Sequence, residues 1–329
     1  MNIRRKFLSL PPLSRLSVIA LPLAALAGLS TPPVSAAPII ITPTAPSSTP
    51  ITRTPSPNND SVLLANPKDY PQGLLFPYSL IDRALSGNVD LNGNVRYANL
   101  KDNKYLLAYV EAAAYADLNK FPVFDVYTTD PKTGRQSKVT KNRAMELVFW
   151  INTYNAMFLS TVAQTYPIKS ISEIKDLDTA QTHVVAGKKY SFKELRAKVL
   201  SFGDARALFA LTSGTAGGFL PSPTAVRYVE FDKRMDAAVA VFVNDPRNVS
   251  LNRIQNVVTV NPIFKDVESN FKLVGKREKY DGIRAILSGY TDQRGSRSYF
   301  TTNEYRVDFG KTNRNINDKM SDSLVGPAS

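Results

Sequence analysis

The stretch NRAMELVFWINTYNAMFLSTVAQTYP, residues 142–167, decides the fold. Val148, Ile151, Phe158, Leu159 and Val162 recur at helical spacing, which predicts one long helix over about 142–165. Pro167 stops it, because the residue before a proline is pushed out of the helical region. Asn152 and Asn155 lie three apart and share a face that includes part of the apolar stripe. Asparagine is a poor mid-helix residue. A buried amide without partners costs about 1–3 kcal/mol, so something polar packs against this helix. Either the two amides orient a ligand or catalytic group, or they tie down the backbone of a neighbouring loop.

Downstream, residues 183–186 followed by Gly187 and Tyr190 read as a strand and turn. Ser191 with Glu194 makes a capping box for a helix over 192–200. Residues 207–211 form an unbroken apolar run, the pattern of a strand buried on both faces. A helix over 231–243, a strand over 257–260, a helix over 280–287 and a strand over 305–309 follow. Upstream, helices are expected over 78–85 and 101–118. Asn92-Gly93 between apolar residues signals a hairpin. Asp90, Asn92 and Asn94 imitate the start of a calcium loop, but Val95 and Lys101 stand where that loop needs Gly and Glu. The polar stretch up to Thr140, with Asp130-Pro131 and Thr133-Gly134, reads as a loop. Helices interleaved with short strands indicate an α+β fold. The expectation is a single mixed domain over 71–310, several helices packed on a small sheet, and a flexible tail over 311–329.

The N-terminal residues supply an address. Arg4, Arg5, Lys6 and Arg15 precede an apolar run over 16–29 that Pro22 interrupts, and Val34-Ser35-Ala36 is a small-residue cleavage site. Residues 1–36 read as a signal peptide, so the chain is expected to be exported to the periplasm or the extracellular space. Arg4-Arg5-Lys6-Phe7-Leu8 also resembles a twin-arginine signal, and the ordinary secretory route stands beside it. Leu29 occupies the place of a lipoprotein cysteine. Residues 37–70, rich in Pro, Thr and Ser, read as a disordered linker that cannot bury enough surface to offset its ordering entropy. No membrane-spanning helix is expected after cleavage.

The net charge is +13, of which the four basic residues before Ala36 supply four and leave +9. An anionic envelope component is a partner that such a charge suits. The positive residues are spread out, with no long Lys/Arg run, so no nucleic acid is expected. There is no cysteine and one histidine, His183, in 329 residues. Thiolate catalysis, disulfides and multi-histidine metal sites are therefore excluded, and no metal or cofactor is expected.

Two features carry the candidate chemistry. The helix core around Trp150, Asn152, Tyr154 and Asn155 is the first. The second is the small-residue loop TSGTAGGFLP, residues 212–221, whose amides can form an anion or oxyanion site or a tight turn needing glycine. It lacks the Gly-Lys-Ser/Thr ending of a phosphate-binding P-loop. One nucleophile scheme can be built: Ser213 or Thr215, activated by His183, with Asn152 or Asn155 orienting the imidazole.

The run over 146–156, Tyr166-Pro167-Ile168-Lys169-Ser170-Ile171, Ala186-Gly187 with Ser191-Phe192, and Asp204-Ala205-Arg206 together resemble the family called domain of unknown function 547. Order and spacing agree from about 75 to 271. The resemblance implies a histidine where Ala197 stands, cysteines where Ser213 and Gly218 stand, and an Asp-Phe pair where Asn270-Phe271 stands. Trp150, Asn152, Tyr154, Asn155 and Arg206 are retained. Together with Thr212 and Thr215 they form the expected binding set. With no cysteine, and the single histidine away from the family position, the expected function is a non-catalytic envelope-associated or ligand-binding module. The alternative is a divergent hydrolase or acyl transferase using Ser213.

Overall fold

Asn103 stands just before an apolar-periodic run, and its side-chain Oδ1 accepts hydrogen bonds from the Tyr105 and Leu106 amides at 3.1 Å each. This cap starts a helix three residues later than the sequence pattern predicts. The computed structural model describes residues 66–129, 136–268, 280–292, 294–302 and 304–319. The signal peptide read over 1–36 and the linker up to 65 lie outside the described residues, as does Asn270-Phe271.

In chain order the elements are α1 (Ser79–Leu85), α2 (Tyr97–Leu100), α3 (Lys104–Ala114), β1 (Phe124–Thr129), β2 (Gln136–Asn142) and α4 (Ala144–Thr165). There follow β3 (Thr182–Val185), β4 (Lys188–Ser191), α5 (Phe192–Leu200), α6 (Phe231–Asn244), β5 (Val249–Asn252) and β6 (Val257–Val260). The last are α7 (Phe264–Glu268), α8 (Asp281–Tyr290), α9 (Arg294–Thr302) and β7 (Arg306–Phe309). This is an α+β fold. Its strands divide into three small sheets: the hairpins β1-β2 and β3-β4, and a sheet ordered β5-β6-β7 whose last pair is parallel.

The organising element is α4. It is buried on nearly every side, from Glu146 through Tyr154 and again through Leu159, the signature of a helix inside a core rather than on its surface. Helices α2, α3 and α5 pack against it, α1 against α3, and α6 against α8. The capping box of α5 forms as its sequence implies: Ser191 Oγ accepts from the Glu194 amide at 3.3 Å, and Glu194 Oε2 accepts from the Ser191 amide at 2.7 Å. These bonds hold the Glu194 carboxyl below the ordinary carboxylate value.

Four expectations need correction. Residues 207–211 are not a strand: the 3-10 helix Ala205–Ala210 runs there, started by Asp204, whose carboxylate accepts from the Arg206 amide at 3.0 Å. A short apolar run cannot by itself distinguish a buried strand from a buried helical turn. The stretch before Thr140, read as a loop, contains the hairpin β1-β2. Tyr70, placed in the linker, is buried in the core. Residues 311–319, assigned to the tail, are built into the fold through bridges of Asn315 to Ser170, Ile316 to Thr215 and Asp318 to Val95. Asn317 anchors them. It is buried, donates from Nδ2 to the Gly93 carbonyl at 2.6 Å and accepts from the Tyr97 hydroxyl at 2.7 Å.

Candidate functional site

Asn155 uses both ends of its amide on the glycine-rich loop. Its Nδ2 donates to the Ala210 carbonyl at 2.8 Å, and its Oδ1 accepts from the Thr212 amide at 2.8 Å. Asn152, buried one turn away, grips a different segment: Nδ2 donates to the Val226 carbonyl at 2.9 Å and Oδ1 accepts from the Val226 amide at 2.8 Å. Asn155 therefore faces the glycine-rich loop and Asn152 does not. Both tie down backbone. Asp82 on α1 reinforces the second grip by accepting from the Ala225 amide at 2.8 Å and pairing with Arg227.

The loop itself offers no anion site. Every amide from 212 to 218 already donates within the protein. Thr212 donates to Asn155, Ser213 to the Phe219 carbonyl at 2.9 Å, and Gly214 to Thr212 Oγ1 at 3.2 Å. Thr215 donates to Ser213 Oγ at 3.5 Å, Ala216 to the Asn315 carbonyl, Gly217 to the Asn313 carbonyl and Gly218 to the Thr215 carbonyl. Glycine is required at 218 because a Cβ there would lie 1.9 Å from Ser213 Oγ and 2.8 Å from Ser213 Cβ. The two positions at which the family resemblance implies cysteines thus lie side by side.

The nucleophile scheme does not assemble. Ser213 Oγ lies 3.2 Å from the Phe219 carbonyl and 3.1 Å from Thr215 Oγ1. His183 Nε2 lies 3.3 Å from Thr161 Oγ1, whose single proton goes to the Met157 carbonyl at 2.9 Å. The imidazole Nε2 must then carry the proton and donate it. Burial lowers the His183 pKa below its usual value, which keeps the ring neutral. No hydrogen bond joins His183 to Ser213. The contact path between them runs through two rings, Phe192 against His183 at 4.6 Å and Phe158 against Phe192 at 5.2 Å, with Phe158 packed on Gly214.

Three further members of the expected set are tied into ion or hydrogen-bond networks. Trp150 is fully buried and donates from Nε1 to Glu146 Oε1 at 3.2 Å, while Arg143 holds the other carboxylate oxygen. Tyr154 accepts from Arg196 Nη2 at 3.3 Å, and burial raises its pKa. Arg206 joins three carboxylates, with Nη2 2.7 Å from both Asp204 and Asp232 and Nη1 2.8 Å from Asp236. The Tyr290 hydroxyl also donates to Asp236 at 3.0 Å, and burial with that carboxylate raises its pKa to about 12. Arg206 is a buried hub joining the 3-10 helix, α6 and α8.

Asn152 and Asn155 line a cavity of about 650 Å³. Ile81, Leu106, Leu159, Phe219, Met235 and Phe242 form much of its wall. Polar residues share the wall, among them Asn92, Asn94, Asn152, Asn155, Asp245 and Asn248; at one corner Arg234 Nη1 donates to Ser222 Oγ at 3.0 Å and Nη2 donates to Thr224 Oγ1 at 2.6 Å. Leu91 and Val241 line the cavity and are exposed to solvent at 94% and 69%, which places apolar side chains at its mouth. Sequence reasoning missed this corner. The available signals were weak: a leucine in the tip of a polar turn, and Val241 off the buried stripe Phe231, Met235, Val239 and Phe242.

Among the described residues no helix is long and apolar enough to cross a membrane, and no group of three or more His, Asp or Glu is placed to hold a metal ion. A family model described as "Protein of unknown function, DUF547" matches residues 138–247. The match spans α4, both asparagine grips, the glycine-rich loop and the Arg234 corner. Leu91 and the α1 wall lie outside it. No curated protein and no solved structure matches the chain.

Proposed function

From the premise that this chain is a DUF547 family member through residues 138–247, we propose that it is an exported, envelope-associated ligand-binding module that performs no catalysis. The cavity is its binding site, and an anionic envelope component is its ligand class. The carrying observation is the 650 Å³ cavity, whose wall mixes apolar and polar side chains and includes the hydrogen-bonded Arg234, Ser222 and Thr224. Its volume falls within the roughly 300–1,000 Å³ of pockets that enclose small ligands. The absence of a base for Ser213 and the engaged loop amides support the non-catalytic reading. The basic charge and the signal-like start of the chain support the address.

Two measurements test this. Export is tested by replacing Arg4-Arg5 with Lys-Lys and fractionating cells. Export lost points to the twin-arginine route, export kept to the ordinary one, and a cytoplasmic wild type overturns the address. Binding is tested by titrating anionic and neutral envelope fractions against wild type and Ala238→Trp, which fills the cavity. Saturable binding by wild type alone is expected. Equal binding by both overturns the assignment of the cavity.

A further inference from the structure

The polar corner has a directional property. Arg234 donates to both Ser222 Oγ and Thr224 Oγ1. Each hydroxyl is thus an acceptor toward the guanidinium, and its own proton must point elsewhere. Thr224 is exposed and Ser222 half-buried. One guanidinium and two hydroxyls whose protons are not used on Arg234 therefore lie together in the cavity lining, an arrangement that suits an anion carrying several acceptor oxygens. The opposing carboxylate is weakly placed. Glu230 sits 3.6 Å from Arg234 Nε and is 55% exposed, so an entering anion competes with a solvent-screened partner. The other charges at the mouth, Asp245 and Arg247, neutralise each other.

Below this corner the character changes within one side chain. Met235, next to Arg234 on α6, is fully buried and lines the apolar wall with Phe242 and Phe219. The two asparagines in the floor already use one donor and one acceptor each on backbone. The cavity thus has a cationic corner at Arg234, an apolar stretch formed by Met235, Phe219 and Phe242, amides already engaged on backbone, and the exposed Leu91 and Val241 in its lining.

We infer that the cavity takes a single-chain anionic amphiphile, its hydrocarbon chain against Met235 and Phe219 and its phosphate or carboxylate head at Arg234, Ser222 and Thr224. This rests on the ligand-binding reading and names its ligand class. Such a molecule can arrive free or from a membrane leaflet, and the shared chemistry is one chain with one anionic head.

The test is calorimetric titration of the purified full-length chain with alkyl phosphates of six to fourteen carbons, below their micelle concentrations. Affinity should rise about fourfold per added methylene until the cavity is full. Arg234→Gln should weaken dodecyl phosphate about tenfold and leave an uncharged dodecyl glycoside unaffected. Val241→Glu, at an exposed position of the lining, should weaken every chain length while leaving the denaturation midpoint unchanged. Transfer of a labelled single-chain lipid out of anionic vesicles assigns the membrane source, and uptake of the free amphiphile alone assigns the soluble one. Binding without chain-length dependence overturns the amphiphile. If short anionic saccharides then bind wild type but not Ala238→Trp, the ligand-binding reading survives that failure. If nothing binds, both fall.

Discussion

Two corners of the same cavity invite opposite readings. The loop over 212–218 has the composition of a functional loop, with three glycines, two threonines and a serine after an apolar run. The segment over 222–224, Ser-Pro-Thr, has none of that appearance. Yet the loop's seven amides are all engaged, whereas the hydroxyls of Ser222 and Thr224 keep protons that point away from Arg234. A small-residue loop becomes an anion site only if its donors are left unpaired. Here Asn155 takes one, the carbonyls of Asn313 and Asn315 take two, and acceptors of the loop itself and Phe219 take the other four, so the loop serves as scaffold.

This contrast can be broken at several points. The largest effect is expected from Arg206→Ala, which strands Asp204 in the interior beside two half-exposed carboxylates. It should cost about 3 kcal/mol in chemical denaturation, at the low end for a broken buried pair because two partners face water. Asn152→Ala should cost nearly as much, about 2–3 kcal/mol, by leaving the buried Val226 amide and carbonyl without partners. Gly218→Ala should cost about 2 kcal/mol, since its Cβ would have to displace Ser213 Oγ. On the other corner, Arg234→Gln should change stability by less than about 0.5 kcal/mol while weakening ligand binding. Equal stability losses at both corners would remove the distinction between scaffold and site.

The smallest effect concerns pH. Burial depresses the His183 pKa below 6.5, so near neutrality folded and unfolded chains both hold a neutral ring. As pH falls through 6.5 the unfolded chain takes up a proton first, and stability declines until the folded ring also titrates. His183→Gln should flatten stability over that window, read from denaturation midpoints. An unchanged slope would show that the ring titrates at its ordinary value.

Most of the fold was legible wherever an element carries a regular apolar spacing or a side-chain cap. The long helix, the capping box at Ser191 and the strand over 257–260 follow directly from residue spacing. The 3-10 helix at 205–210 escaped because an all-apolar run of five has no period to read. The hairpin at 124–142 escaped because polar turn signals outweighed Val126, Tyr127 and Thr128. At the site, the sequence revealed that Asn152 and Asn155 needed polar partners, but the identity of those partners is tertiary. Asn317, 162 residues beyond Asn155, braces the same loop through its amide to the Gly214 carbonyl at 3.3 Å. The Arg234 corner looked like ordinary surface charge, since only the fold places it against Met235 and a cavity.

The most direct test compares two single substitutions by binding. Dodecyl phosphate is titrated into Ser213→Ala and Arg234→Gln, with both variants first shown to unfold as wild type does. Unchanged affinity for Ser213→Ala and about tenfold weaker affinity for Arg234→Gln is the predicted result. Lost affinity for Ser213→Ala with Arg234→Gln unaffected would contradict it and return the site to the glycine-rich loop.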